Sequence, residues 1–212
     1  MSWPRDRQWI ESRLAGRRAI PTRVEMPEEA WQGRGDHDLN AGMEPMRPLK
    51  PAAVLVPLID RPDELTVLFT QRTTHLAHHA GQVSFPGGHI EPGDGGPAET
   101  ALRETEEEVG LERRCVRLVG HLDTYVTRTG FVVAPIVGIV SPPFTLRPDP
   151  HEVAEMFEVP LSFLLDRQNH HRCSAEFEGV SRHFWAMPFD RHFIWGATAG
   201  MLVNMCDILD AE

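Results

Sequence analysis

The chain has 212 residues, of which 41% are hydrophobic and 25% charged, enough for one domain with a terminal extension and a proper core. Its net charge of −10 argues against a nucleic-acid partner, which needs a basic surface. Small anionic substrates stay open if metal ions supply the positive charge. The most apolar run, FVVAPIVGIV, is too short for the roughly 18–20 residues that cross a bilayer and carries a Pro, so no membrane partner is expected. Cys115, Cys173 and Cys206 lack metal-like spacing, and the start MSWPRDRQWI lacks the apolar stretch of a secretion signal. A cytoplasmic protein with reduced thiols is the expectation. Only Lys50 among the 21 basic residues is Lys, a bias that locates no site.

In chain order, RDRQWIESRLAG reads as a short helix ended by Gly16. Residues 25–51 are rich in acids, Gly and Pro without periodicity, so 1–50 is expected to be a helix followed by a linker or draped arm. The main domain, 51–212, begins at AAVLVPLID, a strand by its β-branched run, with ELTVLFTQR as hairpin partner. QVSFPGGHIEPGDGGP is predicted as a loop that starts in a short strand. Pro97 and Gly110 bracket a helix in AETALRETEEEVGL. Strands are predicted at Val116–Asp123, Phe131–Val140, Val153–Val159, Ser174–Phe177 and His183–Met187. LSFLLDR reads as a short helix and ATAGMLVNMCDIL as a closing one. Mixed strands with a few helices predict an α/β sandwich with a mixed sheet.

Four carboxylates fall within five residues in RETEEEVGL. At about 100° per residue, Ala98, Ala101, Leu102, Thr105 and Val109 share a face that packs on the sheet. Glu104, Glu107 and Glu108 gather within roughly a 100° arc on another. Arg103, four before Glu107, reaches to orient it. Three converging carboxylates repel unless a cation sits among them, and hard Mg²⁺ or Mn²⁺ prefers oxygen ligands. The helix alone fits a solvated acidic surface equally well, and Glu99 and Glu106 read as surface acids. The preceding FPGGHIEPGD shifts the balance, because Gly87 and Gly88 let the backbone come close to metal or phosphate.

Together these residues resemble the signature of the Nudix hydrolases: Gly88, Asp94, Arg103, Glu104, Thr105, Glu107, Glu108, Gly110 and Leu111. Asp94 stands for the usual Glu, and eight residues rather than seven separate it from Arg103. Both departures resemble the coenzyme A pyrophosphatase branch, as does LFTQRTTHLAHHAGQVSFPGG through Leu68, Thr70, Arg72, Gly81 and Phe85–Gly88. Ala77 stands where that branch has a second Arg, and Thr73 replaces Ser or Ala. The likeness extends loosely from Pro51 to Leu209.

The resemblance implies a Nudix-type α/β/α sandwich and a metal-dependent pyrophosphohydrolase. Its substrate would be a small nucleotide of the coenzyme A class, cut to 3′,5′-ADP and the phosphopantetheine part. ADP-ribose, an oxidised nucleoside triphosphate, or a catalytically silent ligand-sensing domain are the alternatives. Glu104, Glu107 and Glu108, with the Gly87 carbonyl, would ligate Mg²⁺ or Mn²⁺, while Arg103 would hold a catalytic Glu. Glu107 is the expected catalytic carboxylate, joined by a downstream Glu, first Glu152 and then Glu155. Arg72, Phe85, Gly88 and Arg128 are expected to meet substrate. His75, His78 and His79 have helix-face spacing, but an oxygen-ligand site sets zinc aside. The resemblance also allows a homodimer.

Overall fold

The computed structural model describes residues 6–25, 34–74, 81–177 and 179–211. Helix α1 (Arg7–Arg13) comes first, capped by the Asp6 side chain on the Trp9 amide. Strands β1 (Arg34–Gly35), β2 (Lys50–Asp60), β3 (Leu65–Arg72), β4 (Val83–Ser84) and β5 (Gly87–His89) follow. Helix α2 (Pro97–Val109) leads to β6 (Val116–His121), β7 (Tyr125–Val126), β8 (Phe131–Val140) and β9 (Val153–Pro160). The short helix α3 (Leu161–Leu164), strands β10 (His171–Phe177), β11 (Val180–Phe189) and β12 (His192–Trp195), and helix α4 (Ala197–Asp210) complete the chain.

The main sheet is mixed. β2 runs parallel to β8, in register from Lys50↔Phe131 to Ile59↔Val140. On its other side β2 pairs with β5 at Ala52–Val54 and with β3 at Leu58–Asp60. β3 pairs with β9 along its length and with β4 at its end. The segment 83–89 therefore runs first along β3 and then along β2, filling the splay between them. That crossing sets Gly87 and Gly88 beside the end of β3 that carries Arg72.

Both faces of the sheet are covered, so the central strands are apolar on both sides. Ala53, Leu55, Ala134 and Ile136 pack with Ala101 of α2, whereas Val56, Leu58, Val133 and Val137 pack with Leu202 and Met205 of α4. The alternation within β2 and β8 follows the two-residue period of a strand. Ile10 and Leu14, at 0% and 1% exposure, enter the α4-side core. Each such fully buried side chain contributes about 1.5–3 kcal/mol. The result is a three-layer α/β/α arrangement, as the element pattern predicts. β10, β11 and β12 form a separate antiparallel sheet beside α4.

The segment read as a linker or draped arm is bonded to the body over 34–40. β1 pairs with β7, Arg34 meets Asp207 of α4 at 2.7 Å, and Asp36 accepts from the Tyr125 hydroxyl at 2.8 Å. Strands β1, β5, β7 and β12 went unpredicted because two to four residues show no period. Among the described residues, no helix is long and apolar enough to cross a membrane.

Candidate active site

Helix α2 starts with Pro97, ends at Gly110 in the left-handed conformation with φ 69°, and buries Ala101, Thr105 and Val109 against the sheet. Glu104, Glu107 and Glu108 consequently rise from its other side toward β5 and the end of β3. Gly88 faces Glu104 so closely that a Cβ there would lie 2.5 Å from the carboxyl carbon. Gly87 has φ 154°, and a Cβ on it would lie 2.4 Å from the Ala53 carbonyl oxygen. Only glycine fits at that position.

Glu108 is the most enclosed of the three. It is 4% exposed, because on the helical wheel it lies only about 20° from the fully buried Ala101, between that residue and Glu104. Its Oε2 accepts the Gly87 amide at 3.2 Å, and its Oε1 meets Arg72 Nη1 at 3.4 Å. Burial pushes its carboxyl up to about 8, against the pull of Arg72 and the Gly87 amide. Burial also raises Glu104, against Arg103.

Arg103 connects the rest. It donates to both oxygens of Asp94 at 3.0 Å, to Glu104 at 2.8 Å, to Glu107 at 3.1 Å and to the His89 carbonyl at 3.2 Å. Its bond to Asp94 holds that carboxyl far below the usual range. Arg72 reaches Glu152 as well, at 3.6 Å. Glu152 thus joins the cluster, whereas Glu155 pairs with Arg191 and with His192 at 3.4 Å.

The expected convergence of three carboxylates takes a different form. Among the described residues, no three acidic, His or Cys side chains converge as a ready-made ligand set. Mutual repulsion directs each carboxylate to the nearest cation or amide: Glu108 to Arg72 and Gly87, Glu104 and Glu107 to Arg103. The donor set is nonetheless all oxygen, grouped on one stripe over a glycine cradle, and it fits a hard divalent cation. At Gly87 the amide donates to Glu108 of α2.

Two expected substrate contacts are placed elsewhere. Phe85 is 2% exposed and stacks on Phe69 at 5.1 Å, because pairing of 83–84 with β3 turns its ring into the core. Arg128 sits in the turn between β7 and β8, its amide donating to Asp36 at 2.7 Å and its guanidinium lowering the buried Asp36 carboxyl, which burial raises on balance. His75, Ala77, His78 and His79 lie outside the described residues. Sequence reasoning missed the Asp94–Arg103 clamp, although Asp94 sits just ahead of the helix that carries Arg103.

The NUDIX domain family model matches residues 49–191. The uncharacterized Nudix hydrolase NudL of Escherichia coli K12 is 40% identical over 151 residues, covering 71% of this chain and 78% of that protein. The NudL of Shigella boydii serotype 18 matches with the same identity and coverage, 40%, 71% and 78%. Among solved structures, a binary complex of a C. elegans Ap4A hydrolase matches with TM-score 0.46 and 22% identity over 52% of this chain and 80% of that one.

Proposed function

The chain belongs to the Nudix hydrolase family, and on that premise we propose that it is a divalent-metal-dependent pyrophosphohydrolase of coenzyme A or its thioesters. Nudix hydrolases act on nucleoside diphosphate derivatives and generally use divalent metal ions. The products here are 3′,5′-ADP and the (acyl-)4′-phosphopantetheine part.

The observation that carries this reading is the meeting of Arg72 with the acidic stripe at Glu108, across 36 residues of sequence. Arg72 belongs to the upstream stretch that resembles the coenzyme A branch, and Glu108 to the general signature. Their contact supports a reading in which Arg72 is a phosphate-binding cation beside the bridge that is cut. Arg is suited to that task by its flat fork of donors.

Glu104, Glu107 and Glu108 are the residues that would hold Mg²⁺ or Mn²⁺, with the main chain at Gly87 beside them. Bound there, such ions neutralise phosphate charge and acidify water. Arg103 sets the direction of Glu104 and Glu107 without touching substrate. Glu152, half-exposed at the mouth, takes the proton of the attacking water. The water oxygen bonds to one phosphorus, and the bridging oxygen departs on the other phosphate with the electron pair. Gly88 leaves room for the Glu104 carboxylate itself to sit against the loop.

A panel of coenzyme A, acetyl-coenzyme A, ADP-ribose and an oxidised nucleoside triphosphate tests the assignment. We expect kcat/KM for coenzyme A at least about tenfold above the others, on the order of 1.4 kcal/mol of transition-state discrimination. A preference for ADP-ribose sinks the coenzyme A assignment and leaves the hydrolase. If nothing is cut, while a nucleotide still binds, the domain is a ligand sensor.

A further inference from the structure

β10 is the terminal strand of the three-stranded sheet, and among the described residues no strand pairs with its outer edge. Asn40 reveals which backbone groups that edge presents. Its side-chain amide donates to the His183 carbonyl at 2.9 Å and accepts from the His183 amide at 2.9 Å. His183 therefore turns its backbone groups away from β10. Its cross-strand partner is Ser174, so theirs is a pair of the non-hydrogen-bonded kind. The N–H and C=O of Ser174 then point to the free side, and by the two-residue period so do those of Arg172 and Glu176. Such an edge is a template for another strand.

The strand HRCSAEF is complementary to itself about Ser174. A two-fold axis through Ser174 sets Ser174 opposite Ser174, Arg172 opposite Glu176 twice, Cys173 opposite Ala175, and His171 opposite Phe177. Outward-facing residues then meet outward-facing residues along the whole strand. Moving the axis by one residue leaves Arg172 or Glu176 opposite Ser174. Moving it by two sets Arg172 against Arg172 or Glu176 against Glu176. Opposite charges across strands attract and like charges repel, so the pattern selects one register. Arg172 lies over the Trp185 ring at 5.9 Å, which keeps its guanidinium on the face it shares with Glu176. Phe177, 40% exposed at the tip, gains His171 of a second copy as its cross-strand neighbour.

We propose that the chain forms a symmetric homodimer by antiparallel pairing of two β10 edges about Ser174, making one continuous sheet of six strands. The contact is isologous and closes on itself, which stops further growth along that edge. None of the residues placed at the candidate active site lies on β10.

Light scattering on the full chain tests this, with three sets of variants. Ser174→Pro removes an N–H that β11 does not use, so the hairpin ladder stays intact while the edge is blocked. The wild type is expected to be a dimer at about 100 µM and Ser174→Pro a monomer with unchanged circular dichroism. Arg172→Glu sets Glu against Glu twice and should raise the dimer dissociation constant at least about tenfold. Adding Glu176→Arg to it should restore the dimer. Ala175→Cys faces the native Cys173 of the second copy in a pair about 4.5 Å apart at Cα, within disulfide range. Mild oxidation should give a covalent dimer that is lost on adding Cys173→Ser. A monomeric wild type overturns the proposal, as does a dimer indifferent to Arg172→Glu. Should Ser174→Pro fail to fold, the charge swap and the register-specific cross-link decide.

Discussion

Arg103 holds Asp94 through both carboxylate oxygens, Nε to Oδ1 and Nη2 to Oδ2, each at 3.0 Å. Asp94 is fixed in turn by the Thr100 hydroxyl at 2.7 Å and the Glu91 amide at 2.9 Å. The remaining nitrogen of the same guanidinium donates to Glu104 and Glu107. Asp94 thereby sets the orientation from which Arg103 positions two candidate metal ligands, a support held within a loop and one helix.

Asp94→Asn keeps the shape of the side chain and removes its charge. Supports of metal ligands typically matter by 10–100-fold, so we expect kcat to fall by about that factor with KM little changed. The side chains of Arg103 and Asp94 are 18% and 6% exposed, so loss of this charge partner, with only Glu104 and Glu107 left to the guanidinium, should also lower Tm. Steady-state kinetics beside thermal unfolding separate the two effects. Unchanged kcat would remove Asp94 from the positioning role.

Glu108 makes the metal-free protein sensitive to pH. Its carboxyl titrates at about 8 in the fold, against a reference value of 4.5. Between those values the native state binds a proton that the unfolded state has lost. Stability is therefore fully present below about 4.5 and declines as pH rises through about 8. Denaturation of the wild type in chelator should show a loss on the order of a few kcal/mol from pH 5 to 8.5. Glu108→Gln should flatten that slope, and a divalent cation should restore stability at the alkaline end. Equal slopes for wild type and variant would contradict the assignment.

On the proposed function, Arg72, which faces Glu108 and Glu152, is expected to contact the pyrophosphate and not the 3′-phosphate. Arg72→Lys keeps the charge but loses the planar fork. A fall of about 10–100-fold in kcat/KM is expected, equal for coenzyme A and dephospho-coenzyme A. A larger penalty on coenzyme A alone would move Arg72 to the 3′-phosphate.

Asp36 ties residues 34–40 to the body by accepting the Tyr125 hydroxyl and the Arg128 amide. Asp36→Ala leaves both donors without their acceptor, a loss of about 1–3 kcal/mol for each buried group. A Tm several degrees lower, with kcat retained at 25 °C, is the expected outcome. Loss of kcat in a folded variant would link this segment to catalysis.

Long elements were legible because each carries its own periodic pattern. Phe131–Val140 forms at its predicted bounds, and α2 is marked by Pro97, Gly110 and the apolar stripe between them. The stripe also set Glu104, Glu107 and Glu108 apart on another side of the helix. It did not show how deeply Glu108 is enclosed, since a helical wheel gives direction but not the distance of the neighbouring sheet. Phe85 was illegible for another reason: β4 has two residues, too few to show which side turns inward. Contacts across long separations left no local trace, as between Asp36 and Tyr125, 89 residues apart. The Glu152–Arg72 pair was similarly hidden, although the register of β9 on β3 makes it geometrically simple.

The most direct measurement is hydrolysis of free coenzyme A by the purified protein with Mg²⁺ or Mn²⁺, with Glu107→Gln in parallel and products separated by chromatography. We expect 3′,5′-ADP and 4′-phosphopantetheine in equal amounts from the wild type, absent in chelator and reduced at least about a hundredfold in the variant. Intact coenzyme A after prolonged incubation with either metal, or equal turnover by Glu107→Gln, would contradict the assignment of this carboxylate cluster as the coenzyme A pyrophosphatase site.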